Sequence, residues 1–189
     1  MQTSYPDTSS VTLSQLNHFI TQAIGDQVPL AAQMIYLIAD PDRPRYEARA
    51  VLAAADDVGI DPAESIRIAA VLDLIAFALE MHEGLALDPE DEDGLDPAMA
   101  VLAADFLYTR AFQIVAGMES ITLAQLLSDG TTRAAEAAVL ANQYQRDPGR
   151  DPDKFREATR QRQSSLLIAG VSMVYACAEH VAQASPVTG

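Results

Sequence analysis

Few residues in this chain are placed to do chemistry, and most of those are acidic. The densest group is Glu90-Asp91-Glu92-Asp93. Carboxylates of this kind suit a hard cation such as Ca²⁺. The run nevertheless lacks the spaced ligands and central glycine with which an EF-hand loop folds around its ion, and it reads as a solvated acidic loop. His18, His82 and His180 fall outside HExxH and other zinc spacings. His82 could serve as a general base, but ordinary structural roles are expected for all three. Asp105 lies within an apolar helical run, where a buried carboxylate needs a partner; an ion pair or a helix-terminus contact is expected. Cys177 is the only cysteine, which excludes an intrachain disulfide and suggests a small core residue in a reducing cytoplasm. GxGxxG, Walker and GxSxG patterns are absent from the sequence.

The elements that must position these groups are all helices. Thr12 with Gln15 forms a capping box ahead of a first helix whose face carries Leu13, Leu16, Phe19, Ile20 and Ile24. Pro29 opens a second helix, which the two prolines of Asp40-Pro41-Asp42-Arg43-Pro44-Arg45 terminate. A third runs from about Arg45 to Asp57 and stops near Gly59. Asp61 caps a fourth, with Pro62 at its first position, Glu64 as capping-box partner and Gly84 as its stop. Between Ala69 and Leu79 its only charge is Asp73, so it should be central to the fold. Asp96-Pro97 starts a fifth helix by the same chemistry, ending at Gly117. A short helix over Ile121–Leu127 is expected to close at Asp129-Gly130, followed by another over Thr131–Tyr144. A long last helix runs from about Asp153 to Ala184. Strand-period segments and fixed-period repeats are lacking. The expectation is one all-α helical-bundle domain over 1–189, with a frayed tail over 1–10 and an acidic loop over 84–96.

Composition narrows the partners. The 189 residues include 12 Lys and Arg against 27 Asp and Glu, a net charge of −15, with Lys154 the only lysine. Such a surface repels nucleic acid and anionic lipid, so neither is an expected partner. It fits a solubilising surface or a salt-adapted cytosol. No signal peptide is visible after Met1. The uncharged stretch from Gln163 to Ala178 is shorter than the ~20 apolar residues of a membrane span. No transmembrane segment and a cytoplasmic location are therefore expected.

Four segments in order resemble the trans-isoprenyl diphosphate synthase (polyprenyl synthetase) family. Leu72-Asp73-Leu74-Ile75-Ala76-Phe77-Ala78-Leu79-Glu80-Met81-His82-Glu83-Gly84 is similar to the family's ELIHTASLIHDD helix. Ala103-Ala104-Asp105-Phe106-Leu107-Tyr108-Thr109-Arg110-Ala111-Phe112 is similar to its AGDYLLARAF helix. Asp42-Arg43-Pro44-Arg45 stands where the family has GKRLRP. Phe155 and Arg162-Gln163-Ser164 fall at the spacing of its Y…KTA. The resemblance implies the isoprenoid synthase fold, without its C-terminal helices. In the family, paired aspartates on facing helices hold Mg²⁺ over an allylic diphosphate and stabilise it as it leaves.

Here that motif is degraded. Its first aspartate falls on Glu83 and its second on Gly84; its last falls on Leu87, with Asp88 one residue out of register. No second aspartate-rich motif appears before Gly189, although a catalytic subunit needs both. The resemblance therefore implies no catalytic residues and no cofactor. Glu83 and Asp88 are remnant metal positions, with Mg²⁺ only if they still function, and Arg43, Arg45 and Arg162 are diphosphate-binding remnants.

The expected function is a non-catalytic, regulatory or structural subunit that forms a homodimer or pairs with a full-length prenyl diphosphate synthase. Alternatives are a stand-alone interaction or apolar-ligand-binding bundle, or an active prenyltransferase with an altered metal site. The fifth helix carries Phe106 and Phe112 among apolar residues on all sides, marking them as interface candidates.

Overall fold

A computed structural model describes residues 11–26, 30–84, 96–146 and 151–184. These residues form seven helices and no strands: α1 (Leu13–Ile24), α2 (Ala31–Ile38), α3 (Tyr46–Val58), α4 (Pro62–His82), α5 (Pro97–Ala116), α6 (Ile121–Arg146) and α7 (Pro152–Ala184). The tail over 1–10, Pro29 and the acidic run lie outside the described residues.

Helix starts follow the local chemistry of their caps. The Thr12 N–H donates to Gln15 Oε1 at 2.8 Å, and the Gln15 N–H donates to Thr12 Oγ1 at 3.3 Å. Asp61 accepts from the Ala63 N–H at 2.7 Å, and Asp96 from the Ala98 and Met99 N–H groups at 2.9 and 3.1 Å. Each satisfies donors that the first helical turn leaves unpaired. At the other end of α4, Gly84 takes φ 72°, a conformation that glycine enters without Cβ strain, just past the last helical turn.

Helix α4 is the axis of the bundle. Every residue from Ile68 to Leu79 is buried, Asp73 included. It packs against α5, α3, α7 and α1, while α6 and α7 form a closely packed pair. That pairing overturns one expectation. Residues 121–146 form a single helix, with no break at Asp129-Gly130. A Cβ at Gly130 would collide with Ala169 Cβ of α7 and stand 3.3 Å from the Ser165 carbonyl oxygen. The glycine thus permits close helix approach, and Asp129 remains a solvent-exposed helical residue.

Helix α5 also departs from expectation. It buries Ala100, Ala103, Ala104, Leu107, Ala111 and Val115. Val101, Leu102 and Phe112 stay 44%, 60% and 38% exposed. By length and mean hydropathy α5 is the one helix among the described residues that could cross a membrane; here it packs along α4.

Candidate functional site

The turn ahead of α3 delivers two arginines to one buried carboxylate. The Asp42 N–H donates to Asp40 Oδ1 at 2.8 Å, closing a tight turn. Arg43 then reaches across to α4, donating to Asp73 Oδ1 at 2.8 Å and to Glu80 Oε2 at 3.0 Å. Its guanidinium also lies 4.8 Å from the centre of the Phe77 ring. Arg45, the N-cap of α3, sits in the left-handed region at φ 49° and is 4% exposed. It donates through Nε to Asp73 Oδ2 at 2.9 Å, through Nη2 to the same oxygen, and through Nη1 to Asn17 of α1. A non-glycine residue holds that backbone conformation only where its surroundings over-determine it. The bonds to Asp73 and Asn17 supply that constraint.

Electrostatics follow from the packing. Burial works to lower the Arg43 pKa, but the Asp73 and Glu80 carboxylates overcome it and the net shift is upward. Arg43 therefore stays charged. Neighbouring Glu47 is pushed up by burial, with Glu80 and Asp73 adding to the rise.

A second pair closes the C-terminal end of α4. Glu83, its C-cap, accepts from Arg162 Nε of α7; both side chains are part-buried. Between the two clusters Glu47, Glu80 and Arg162 line a gap of about 10 Å³, too small for a hydrated ion or a diphosphate. Divalent-ion chemistry of the family's kind needs several free carboxylate oxygens around one point. Among the described residues no group of three or more His, Cys, Asp or Glu could hold a metal, and Glu83 is engaged by Arg162. These residues do not fit Mg²⁺. Asp88 lies outside the described residues.

Beside this cluster, an open cavity of about 830 Å³ lies between the end of α4, α5 and α6. Its walls include Leu79, Phe112, Ala135, Ala138 and Val139, and its polar rim includes His82 and Glu83. That volume falls within the usual range of small-molecule sites. Tyr108 stands on the wall with its ring centre 5.7 Å from that of His82. Burial, then Glu83, push its phenol up to about 12, so it remains a protonated hydrogen-bonding group at neutral pH. Thr131 Oγ1, also on the wall, is buried and lacks a hydrogen-bond partner.

Other sequence candidates fall elsewhere. Asp105 is not buried as expected: its side chain is 64% exposed and pairs with His82 Nε2 at 3.3 Å. The register of α5 turns it outward, and the buried carboxylate of the fold is Asp73. Phe106 is half-buried against the core with the Arg110 guanidinium 5.0 Å from its ring centre, whereas Phe112 is exposed at the cavity. Cys177 is half-buried, and burial followed by Glu64 pushes its thiol pKa up, which disfavours the nucleophilic thiolate. Sequence reasoning missed Asp73 as the partner of Arg43 and Arg45. The available signal was its position as a lone charge in an apolar helix. It also missed the cavity, for which one-dimensional spacing holds no signal.

No family model matches the chain. An octaprenyl diphosphate synthase from Haemophilus influenzae is 29% identical over 143 residues, covering 72% of this chain and 44% of that protein. Its counterpart from Escherichia coli is 25% identical over 164 residues, covering 83% and 51%. The chain thus spans about half the length of the curated relatives it matches. A solved polyprenyl synthase from Caulobacter crescentus, complexed with calcium and isoprenyl diphosphate, superposes with a TM-score of 0.75 at 21% identity. That match covers 88% of this chain and 53% of that one, and the fold is the isoprenoid synthase fold.

Proposed function

Given that the chain is related to the trans-isoprenyl diphosphate synthase (polyprenyl synthetase) family, we propose that it is a non-catalytic, cytoplasmic subunit that works beside a full-length prenyl diphosphate synthase. One observation carries this reading. Arg43, Arg45 and Arg162, the positions that resemblance assigns to diphosphate binding, are all engaged by the protein's own carboxylates. An incoming diphosphate would have to displace buried Asp73 or part-buried Glu83 and leave that carboxylate unpaired, a costly exchange. The test is affinity capture of the tagged chain from its native cytosol, with co-expression alongside the synthase it retains. Co-elution with a prenyl synthase, and a change in that synthase's product length or stability, is the expected result. A chain that retains no synthase and leaves its products unchanged would remove the proposal.

The cavity favours a second reading, in which the bundle binds an apolar ligand by itself. Its aliphatic and aromatic walls suit an isoprenoid chain. Organic extraction of the purified protein followed by mass spectrometry tests this, with a stoichiometric isoprenoid lipid as the expected finding.

A further inference from the structure

We propose that the solvent face of α7 pairs with the same face of a second copy of this chain, the two helices running antiparallel. Helix α7 turns Leu166, Ala169, Met173 and Val174 into the bundle, where it meets α6, α3 and α4. Its opposite side is not a charged, solvated face. Ile168 and Tyr175 are 62% and 53% exposed, and Ser164 and Val171 stand half-buried beside them. These four positions follow a 4-3-4 spacing. That spacing holds residues on one stripe of a helix, and it is the spacing with which paired helices interlock.

Charge selects the occupant. The chain carries a net charge of −15, yet Gln163 to Ala178 contains no Asp, Glu, Lys, Arg or His. A basic partner is drawn to the acidic surface elsewhere and gains nothing from a stripe without charge. A second copy is repelled wherever its carboxylates approach, and the stripe lets two such molecules touch without bringing carboxylates together. The stripe is also self-complementary, as a two-fold contact requires. Read backwards, 4-3-4 is the same spacing. An antiparallel copy therefore sets Ile168 beside the partner's Val171 and Ser164 beside the partner's Tyr175. This direction opposes the two helix dipoles. It also lays Glu179 toward the first turns of the other α7, where Lys154, Arg156, Arg160 and Arg162 outnumber Asp153 and Glu157. The contact spans about three turns, roughly 16 Å of helix. That is the low end of interface size, so a Kd of about 10–100 µM is expected. The stripe is separate from the exposed residues of α5, and the proposal does not depend on a synthase partner.

Cys177 is the only cysteine, so thiols introduced into the Cys177→Ser chain are the only ones present. The double variant Ser164→Cys with Tyr175→Cys should give a covalent two-chain species on mild oxidation at about 100 µM protein. Neither single variant should do so. Each position stands about 16 Å along the helix from its own copy in the antiparallel pair, and a disulfide spans at most ~7 Å between Cα atoms. Adding Ile168→Asp should abolish the cross-link and weaken pairing at least about ten-fold by sedimentation equilibrium. That position is exposed, so the circular dichroism spectrum should not change. Leu102→Asp on α5 should leave the cross-link in place. Raising NaCl from about 0.05 to 0.5 M should tighten the pair several-fold by screening two acidic bodies from one another. Single variants that cross-link as readily as the double variant overturn the antiparallel direction. Pairing that weakens with salt, or a cross-link that survives Ile168→Asp, overturns the assignment to this stripe. A co-expressed synthase that shields the introduced thiols puts a different occupant on the face, and a chain that stays monomeric at about 100 µM removes the proposal.

Discussion

Removing the Asp73 carboxylate would strand two guanidinium groups in the interior, because Arg43 and Arg45 converge on it with side chains 8% and 3% exposed. An uncompensated buried charge costs far more than its former pair contributed. Asp73→Ala should therefore lower unfolding free energy by about 3–5 kcal/mol, measured by urea denaturation. A loss under ~1 kcal/mol, the value of a surface pair, would mean that water already screens the cluster. Glu47 gives the opposite case. Burial raises its folded pKa above the unfolded value, so the folded state holds the proton to higher pH. Stability is then lost as pH rises upward from the ordinary carboxylate range. Glu47→Gln should raise Tm near neutral pH, and the difference should vanish below the unfolded pKa of ~4.3. Thermal melts at both ends check the sign.

At the scale of elements, Gly130 sets how closely α6 and α7 approach. Alanine at an interior helical position ordinarily gains about 1 kcal/mol over glycine. Here the added methyl would strike Ala169 of the partner helix, and overpacking of a close contact costs about 1–3 kcal/mol. Gly130→Ala should thus be neutral to destabilising despite its better propensity, and Ala169→Gly in the same chain should recover stability. A double-mutant cycle in urea measures that coupling. Additive effects would show that the helices separate without penalty. This element also shows a limit of reading a sequence. Asp-Gly has the composition of a helix stop, and only the facing helix reveals that its glycine is there for close contact.

For the molecule as a whole, α5 presents Val101 and Leu102 to solvent on a helix already packed against α4. Exposed apolar surface of this kind on a helical bundle marks a candidate interface. The chain is expected to self-associate or to join a synthase through this face, burying more than ~1,200 Å² in total. Light scattering coupled to size exclusion should report a mass above that of one chain, or a mixed complex. Leu102→Asp should dissociate it, and it is preferable to Phe112→Asp because Phe112 also lines the cavity. A monodisperse monomer that ignores a co-expressed synthase would remove the expectation. Incubated alone with allylic and homoallylic diphosphates and Mg²⁺, the chain should form no prenyl diphosphate. Metal-dependent product would show that Arg43, Arg45 and Arg162 can leave their carboxylates.

The sequence by itself determined what depends on contacts within one or two helical turns. The Thr12–Gln15 box, the Asp61-Pro62 and Asp96-Pro97 starts and the Gly84 stop are local hydrogen-bonding and steric requirements, and each appears where its residues stand. The central place of α4 was legible too, because a helix apolar on every side must be covered on every side. Tertiary structure alone decided the rest. Arg45 and Asp73 are 28 positions apart and Arg162 and Glu83 are 79 apart, and no periodicity links residues at such separations. Which acid is buried, Asp73 or Asp105, depends on helix rotation, since both lie in apolar runs of similar composition. The cavity is lined by residues of α4, α5 and α6 together, and the empty space between elements is set by how they pack.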